Sequence, residues 1–359
     1  MKKYFALISM CVLFLVGSSQ AQETGTPDME KAMKMLAERQ LSAEAVRALE
    51  EGLKTKPDDQ AVREKLIRHY FLASLTSRSA EIEAKREQHI FWLIEHHPES
   101  ELAGSPEAGI MPMGPDGDSE GYQRGKQLWL QQVEKHPENK AIVSHAAHFV
   151  GVHDRKTGRE LLEKALALDP SDFQSAASLA QSYELEGAWG KSPEEKIALS
   201  KKALEIRERA LDPSPGVMRF YGLDDVAKTA FEAGELAKAE LYSREALQTA
   251  QEFKKDWNYG NALHDGNTIL GRIALRHDDV SLAKQYLLAS GETPGSPQLD
   301  SFGPTMILAK ELLEKGERDT VLTYLQSCAK FWKMGGDRLQ NWMATIRGGG
   351  TPDFSMSLR

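Results

Sequence analysis

The chain has 359 residues, 41% of them hydrophobic and 27% charged, with a formal net charge of −8. That apolar fraction suffices for a packed core and excludes a wholly disordered chain, while the acidic balance argues against a nucleic-acid binder, which needs a basic face. Length alone suggests two ordinary domains, unless the chain is a repeat array built as one elongated unit.

The first segment, Met1–Ala21, opens on Lys2 and Lys3, continues through an apolar run from Tyr4 to Val16, and reaches the small residues Ser19 and Ala21. This is the pattern of a secretory signal peptide cut after Ala21, and its apolar run is too short to favour a membrane span. Cys11 lies inside that run behind Met10, where a lipoprotein signal would carry a small residue. Cleavage removes Cys11 and two lysines. The mature chain is then more acidic, with Cys328 as its remaining cysteine and no intramolecular disulfide. No later stretch is long and apolar enough for stable membrane insertion, so the expected location is periplasmic or secreted.

Residues 22–28 read as a linker. Residues 29–98 read as divergent helical hairpins, carried by "REKLIRHYF" and "REQHIFWLIEHHP", and 99–118 as a Gly/Pro-rich loop too long for a simple turn. From 119 to 335 the pattern is an array of helix pairs, and 336–359 is a C-terminal tail. Punctuation marks the units: prolines at 57, 98, 137, 170 and 213 cannot continue a helix, and the acidic, Ser or Asn residues after them can cap the next one. Nowhere is there a sustained strand alternation.

The interior of the array repeats more strictly. Ala227, Ala230, Gly234, Ala239 and Ala246 have the same spacing as Gly271, Ala274, Asp278, Ala283 and Ser290, and as Ala309, Leu312, Gly316, Val321 and Cys328. Ala146, Phe149, Gly158, Leu162, Ala165 and Pro170 fit the same ruler, and "LAQSY" from Leu179 begins another unit. Small residues at these points let paired helices approach closely. These positions resemble the tetratricopeptide repeat family from about residue 139 to 334, and more loosely from 29 to 98. The stretch from "DWNYGNALHDGNTILGR" to "CAKFWKMGG" also resembles the C-terminal region of secreted bacterial proteins of that family. The resemblance implies an all-α fold, a right-handed α-solenoid of antiparallel helix hairpins with a concave face lined by the first helix of each pair.

Three insertions break the regularity, at 100–121, 187–193 and 291–304; binding loops and inert connections share their composition. Catalytic signals are sparse: there is no Gly-x-Ser-x-Gly elbow and no phosphate loop, "GPDGDSE" lacks the spacing of a calcium loop, and no cofactor is implied. His264-Asp265 reads as the start of a helix, with the carboxylate at the positive end of its dipole. His145 and His148, three apart on one helical face, with His153 beyond, form the one candidate metal cluster, but His145 falls on an inward repeat position. Cys328 lies on an apolar stripe and reads as core.

The strongest functional signal comes from superposing the units. Beside the first small residue of each pair stand Lys228, Arg272 and Lys310, a basic ladder on the groove side. Tetratricopeptide repeats use such positions to hold extended peptides and terminal carboxylates, which implies a peptide-binding set of Lys228, Arg272 and Lys310 with Asn267, Thr268 and Asp224 for orientation. The competing reading is a solvated face paired with acids such as Glu232 and Glu314. Tyr221, Phe231, Trp257 and Tyr259 either line the groove or close the core. The expected function is therefore a non-enzymatic protein- or peptide-binding scaffold of the bacterial cell envelope. Alternatives are a metal-dependent envelope enzyme using His145, His148 and His153, and a structural adaptor in envelope assembly.

Overall fold

A computed structural model of the chain describes residues 41–77, 79–111, 119–188 and 191–358. The signal segment 1–21, the linker 22–28, the start of the first hairpin, and the acidic stretch 114–118 lie outside the described residues. Among the described residues the fold is all-helical, with 16 α-helices and no strand, and neighbours in sequence pack as neighbours in space. No described helix is long and apolar enough to cross a membrane. The chain divides between Ser182 and Tyr183 into two compact units.

The first unit contains α1 (Ala43–Thr55), α2 (Gln60–Thr76), α3 (Ala80–His96), α4 (Glu120–Lys135), α5 (Lys140–Gly151) and α6 (Arg155–Leu168), with α7 (Phe173–Ala188) following. The proline punctuation works as a Pro-x-cap device. Two residues after Pro57 and Pro137, Asp59 accepts from the Val62 amide at 3.1 Å and Asn139 from the Ile142 amide at 3.3 Å. Each satisfies a helix-start amide that lacks an intrahelical partner. Asp172 does the same two residues after Pro170, accepting from Ser175 at 3.2 Å. Pro98 differs, since no helix follows it directly. There the described part of the Gly/Pro-rich loop buries Leu102, Ala103, Ala108 and Ile110, and Arg86 donates to the Glu107 carbonyl at 2.8 Å.

The second unit contains α8 (Pro193–Leu211), α9 (Gly216–Glu232), α10 (Leu236–Ala250), α11 (Tyr259–Arg276), α12 (Val280–Gly291), α13 (Pro297–Ser301), α14 (Ile307–Glu314), α15 (Arg318–Phe331) and α16 (Gly336–Arg347). Its repeat register has a backbone cause. The third position of each set, Gly234, Asp278 and Gly316, sits at positive φ (79°, 58° and 87°). The next residue's amide then reaches back to the second position: Glu235 to Ala230, Asp279 to Ala274 and Glu317 to Leu312, at 2.9, 2.9 and 3.0 Å. These are three copies of one Schellman turn, which ends the first helix of a pair and fixes where the second begins. The fourth and fifth positions, Ala239, Ala283 and Val321, then Ala246, Ser290 and Cys328, are all fully buried.

A loop and the terminal segment complete this unit. The loop 291–304 is fastened down: Thr293 donates to the Gly260 carbonyl at 2.9 Å, and Ser296 donates to the Asn261 side chain. It straps the start of α11. The segment 336–359, expected as a tail, carries α16 and buries Leu339, Trp342, Ile346 and Phe354 in the terminal core.

Candidate functional site

Helix geometry decides which predicted residues share a face. Residues four apart on one helix stack, so α9 presents Asp224, Lys228 and Glu232 in a row, α11 presents Thr268, Arg272 and Arg276, and α14 adds Lys310 and Glu314. Asn267, one residue before Thr268, is rotated about 100° off this row; its side chain donates to the Leu263 carbonyl of its own helix at 2.7 Å. Asn267 therefore does not join the other five residues.

The cations of the row are paired across helices. Lys228 Nζ is 2.8 Å from Asp265 Oδ2 on α11. The Arg272 guanidinium reaches Glu232 on α9 at 3.1 Å and Glu311 on α14 at 3.2 Å, while Lys196 of α8 takes the other oxygen of Glu232 at 3.1 Å. Lys310 stands 3.8 Å from Glu314 on its own helix. The three ladder cations, Lys228, Arg272 and Lys310, each have an acidic neighbour, and Glu232 and Glu314, the acids of the competing paired reading, are among them.

Beneath Lys228, Asp224 is buried; one carboxyl oxygen lies 3.4 Å from the Asn258 amide nitrogen and the other has no partner among the described residues. Burial first, then the charge of Asp265, pushes its carboxyl up to about 8. Against burial, Asp265 and then Asp225 hold the Lys228 ammonium above its ordinary value. Thr268 is buried on the same stripe.

His264-Asp265 does not start a helix. α11 begins at Tyr259, so the pair lies in its second turn, where adjacent residues diverge. His264 is fully buried, its Nδ1 is 3.1 Å from the Ser290 carbonyl, and burial lowers its pKa, keeping it neutral; Asp265 turns out to Lys228. Among the aromatics, Tyr259 closes a small core with Phe220, Ala250 and Ala262. Tyr221 packs there too, yet its ring also lies 5.3 Å from that of the half-exposed Trp257 at a tilt of 37°, and it donates to Asp256 at 2.8 Å.

The histidines of the first unit have separate partners. His145 Nδ1 is 2.9 Å from the Pro98 carbonyl, His148 Nε2 is 3.0 Å from Ser178 Oγ, and the His153 ring lies edge-on to Tyr122. Among the described residues no group of three or more His, Cys, Asp or Glu is arranged to hold a metal ion. Cys328 is fully buried, and burial pushes its thiol up to about 12.

What the ladder missed is its next turn. Arg276, four residues past Arg272, lies on the register position that Glu232 and Glu314 occupy in the neighbouring pairs. Its guanidinium is 5.3 Å from the Phe231 ring centroid, and that of Arg272 is 4.1 Å from the same ring. Together with Ile197, Glu232, Gly234 and Leu236 they line a cleft of about 300 Å³. The signal was in the sequence, since "GRIALR" repeats arginine at the helical spacing of four.

Compared with known proteins, the chain matches no protein-family model and no curated protein.

Proposed function

We propose that the chain is a non-enzymatic helical-repeat scaffold that binds an extended protein or peptide segment along the α9, α11 and α14 face of its second unit. The observation that supports this reading is the threefold repetition of one turn, which sets Lys228, Arg272 and Lys310 at equivalent places on three successive helix pairs. Lys228 and Lys310 keep about two-fifths of their side-chain surface exposed, so an arriving carboxylate competes with Asp265 or Glu314 for cations already set beside an acid. Preorganised donors of this kind lose little entropy on binding. A right-handed solenoid of antiparallel tetratricopeptide hairpins is part of the same proposal. So is export to the periplasm or beyond, which rests on the sequence of Met1–Ala21 and lies outside the described residues.

The test is capture on an array of 15-residue peptides of graded charge by the full chain and by the Lys228→Gln/Lys310→Gln variant, with circular dichroism as a fold control. Selective loss of binding to acidic peptides at unchanged helicity is the expected result. Equal capture by both proteins would remove function from this face and point to an adaptor role for other surfaces.

A further inference from the structure

The Arg276 cleft differs in character from the row it adjoins. In the row Lys228, Arg272 and Lys310 each have an acid beside them. In the cleft, Glu232 has both oxygens occupied, one by Arg272 and the other by Lys196, and Arg272 is itself shared between Glu232 and Glu311. Arg276 alone among the lining charges has neither an ion pair nor a hydrogen bond to another described residue, so the lining carries an uncompensated positive charge. It is exposed, at the end of α11, with its guanidinium over the Phe231 ring. An arginine over a ring face keeps its in-plane donors free to point outward, which suits a planar carboxylate.

The remaining walls are apolar. Ile197 of α8, with 42% of its surface exposed, lines the cleft together with Leu236 and Phe231. Gly234 at φ +79° turns the chain between α9 and α10 without adding a side chain to the opening. Cation and apolar floor lie within one cleft of about 300 Å³, room for one or two side chains rather than a folded element.

We infer that this cleft receives a carboxylate side chain with an adjacent aliphatic side chain from a partner polypeptide, the acid on Arg276 and the aliphatic group on Ile197, Leu236 and Phe231. This rests on the peptide-binding reading and narrows it to an internal aliphatic-acid pair. The occupant is committed by charge complementarity: a basic segment meets Arg276 unfavourably, and an all-apolar one leaves the guanidinium without an anion.

The probe is N-acetyl-leucyl-glutamate amide, observed by saturation-transfer NMR on the full chain, beside N-acetyl-leucyl-glutamine amide and N-acetyl-alanyl-glutamate amide. The leucyl-glutamate peptide should give transfer to both side chains, with the two controls at least about fivefold weaker, consistent with the worth of a partly exposed cation–carboxylate contact. Arg276→Gln should bring it down to the glutamine control, and Ile197→Ser, as a second variant at an exposed position, to the alanyl control. Equal signals from the wild type and Arg276→Gln would overturn the cleft while leaving peptide binding elsewhere intact. Absence of binding by these probes, together with failure of every acidic peptide on the array, would overturn both.

Discussion

The amide of Asp279 donates to the carbonyl of Ala274 at 2.9 Å, a bond that spans the end of α11 and forces Asp278 between them to φ +58°. Glycine fills the equivalent place in the neighbouring turns, at Gly234 and Gly316. Asp278 is the described non-glycine residue at positive φ, and an L side chain there crowds its own backbone. Asp278→Gly is expected to raise stability by about 0.5–1 kcal/mol, seen as a higher urea midpoint at unchanged slope, while Asp278→Val lowers it by about 1–2 kcal/mol. A neutral Val substitution would mean that this turn does not hold the register.

Much of the second unit was readable because its repeat is made of such local bonds. The spacing of Ala230, Gly234 and Ala239 records one Schellman turn followed by the first packed residue of α10, and short-range geometry of this kind leaves a pattern in sequence. Of the ionic links, the paired reading names Glu232 and Glu314, which meet Arg272 and Lys310, but not Asp265 or Glu311. Arg272 meets Glu311 across 39 residues and three helix connections, a separation at which no local pattern in the sequence records the contact. His264 was misjudged for a related reason: the helix begins at Tyr259, five residues earlier than the capping argument supposed, so a residue placed at a solvent-exposed terminus is in the core. In the segment after 335, read as a tail, Leu339, Trp342 and Ile346 have helical spacing and carry the signal of α16.

Glycines at helix contacts separate by what a methyl group would meet. A Cβ at Gly158 on α6 would run into the Cα of Gly151 and lie 2.9 Å from its amide nitrogen, so backbone must move. At Gly271 it would meet chiefly the Leu308 side-chain tip, which can rotate, and at Gly52 in α1 nothing lies within 4 Å. Thermal unfolding should order the alanine variants accordingly. Gly158→Ala loses about 2–3 kcal/mol, Gly271→Ala loses less, and Gly52→Ala gains about 0.5–1 kcal/mol from helix propensity. Gly271→Leu overfills the same contact, at a cost of about 1–3 kcal/mol. Loss of stability at Gly52 equal to that at Gly158 would contradict the packing described for α5 and α6.

Cys328 offers a direct check on the last core. Its thiol is fully buried against α15's neighbours and pushed up to about 12, so it is neither accessible nor ionised at neutral pH. Labelling by a disulfide reagent should be at least about a thousandfold slower than for a free thiol, because it waits for opening of the core. Added urea should accelerate it in step with unfolding. Fast labelling of the native protein would show that the core around Tyr324, Leu325 and Phe331 is not closed.

Asp224 makes stability depend on pH in a direction opposite to that of a salt-bridged acid. Its carboxyl rises from 3.8 to about 8 in the folded chain, from burial and then from the charge of Asp265. Between those values the folded state holds a proton that the unfolded state has released, so this group's contribution to stability falls steadily as pH climbs from about 4 to about 8 and is level above that. Asp224→Asn keeps an oxygen for Asn258 and cannot ionise. Relative to wild type it should therefore gain stability progressively across this window, reaching at least about 1 kcal/mol by pH 8, with little difference at pH 4. Urea titrations of both proteins at pH 4, 6 and 8 measure it. A constant difference across the three would mean that Asp224 is ionised in the folded state, paired with Lys228, and that the acid beneath the cation row is a second counter-ion rather than a buried neutral group.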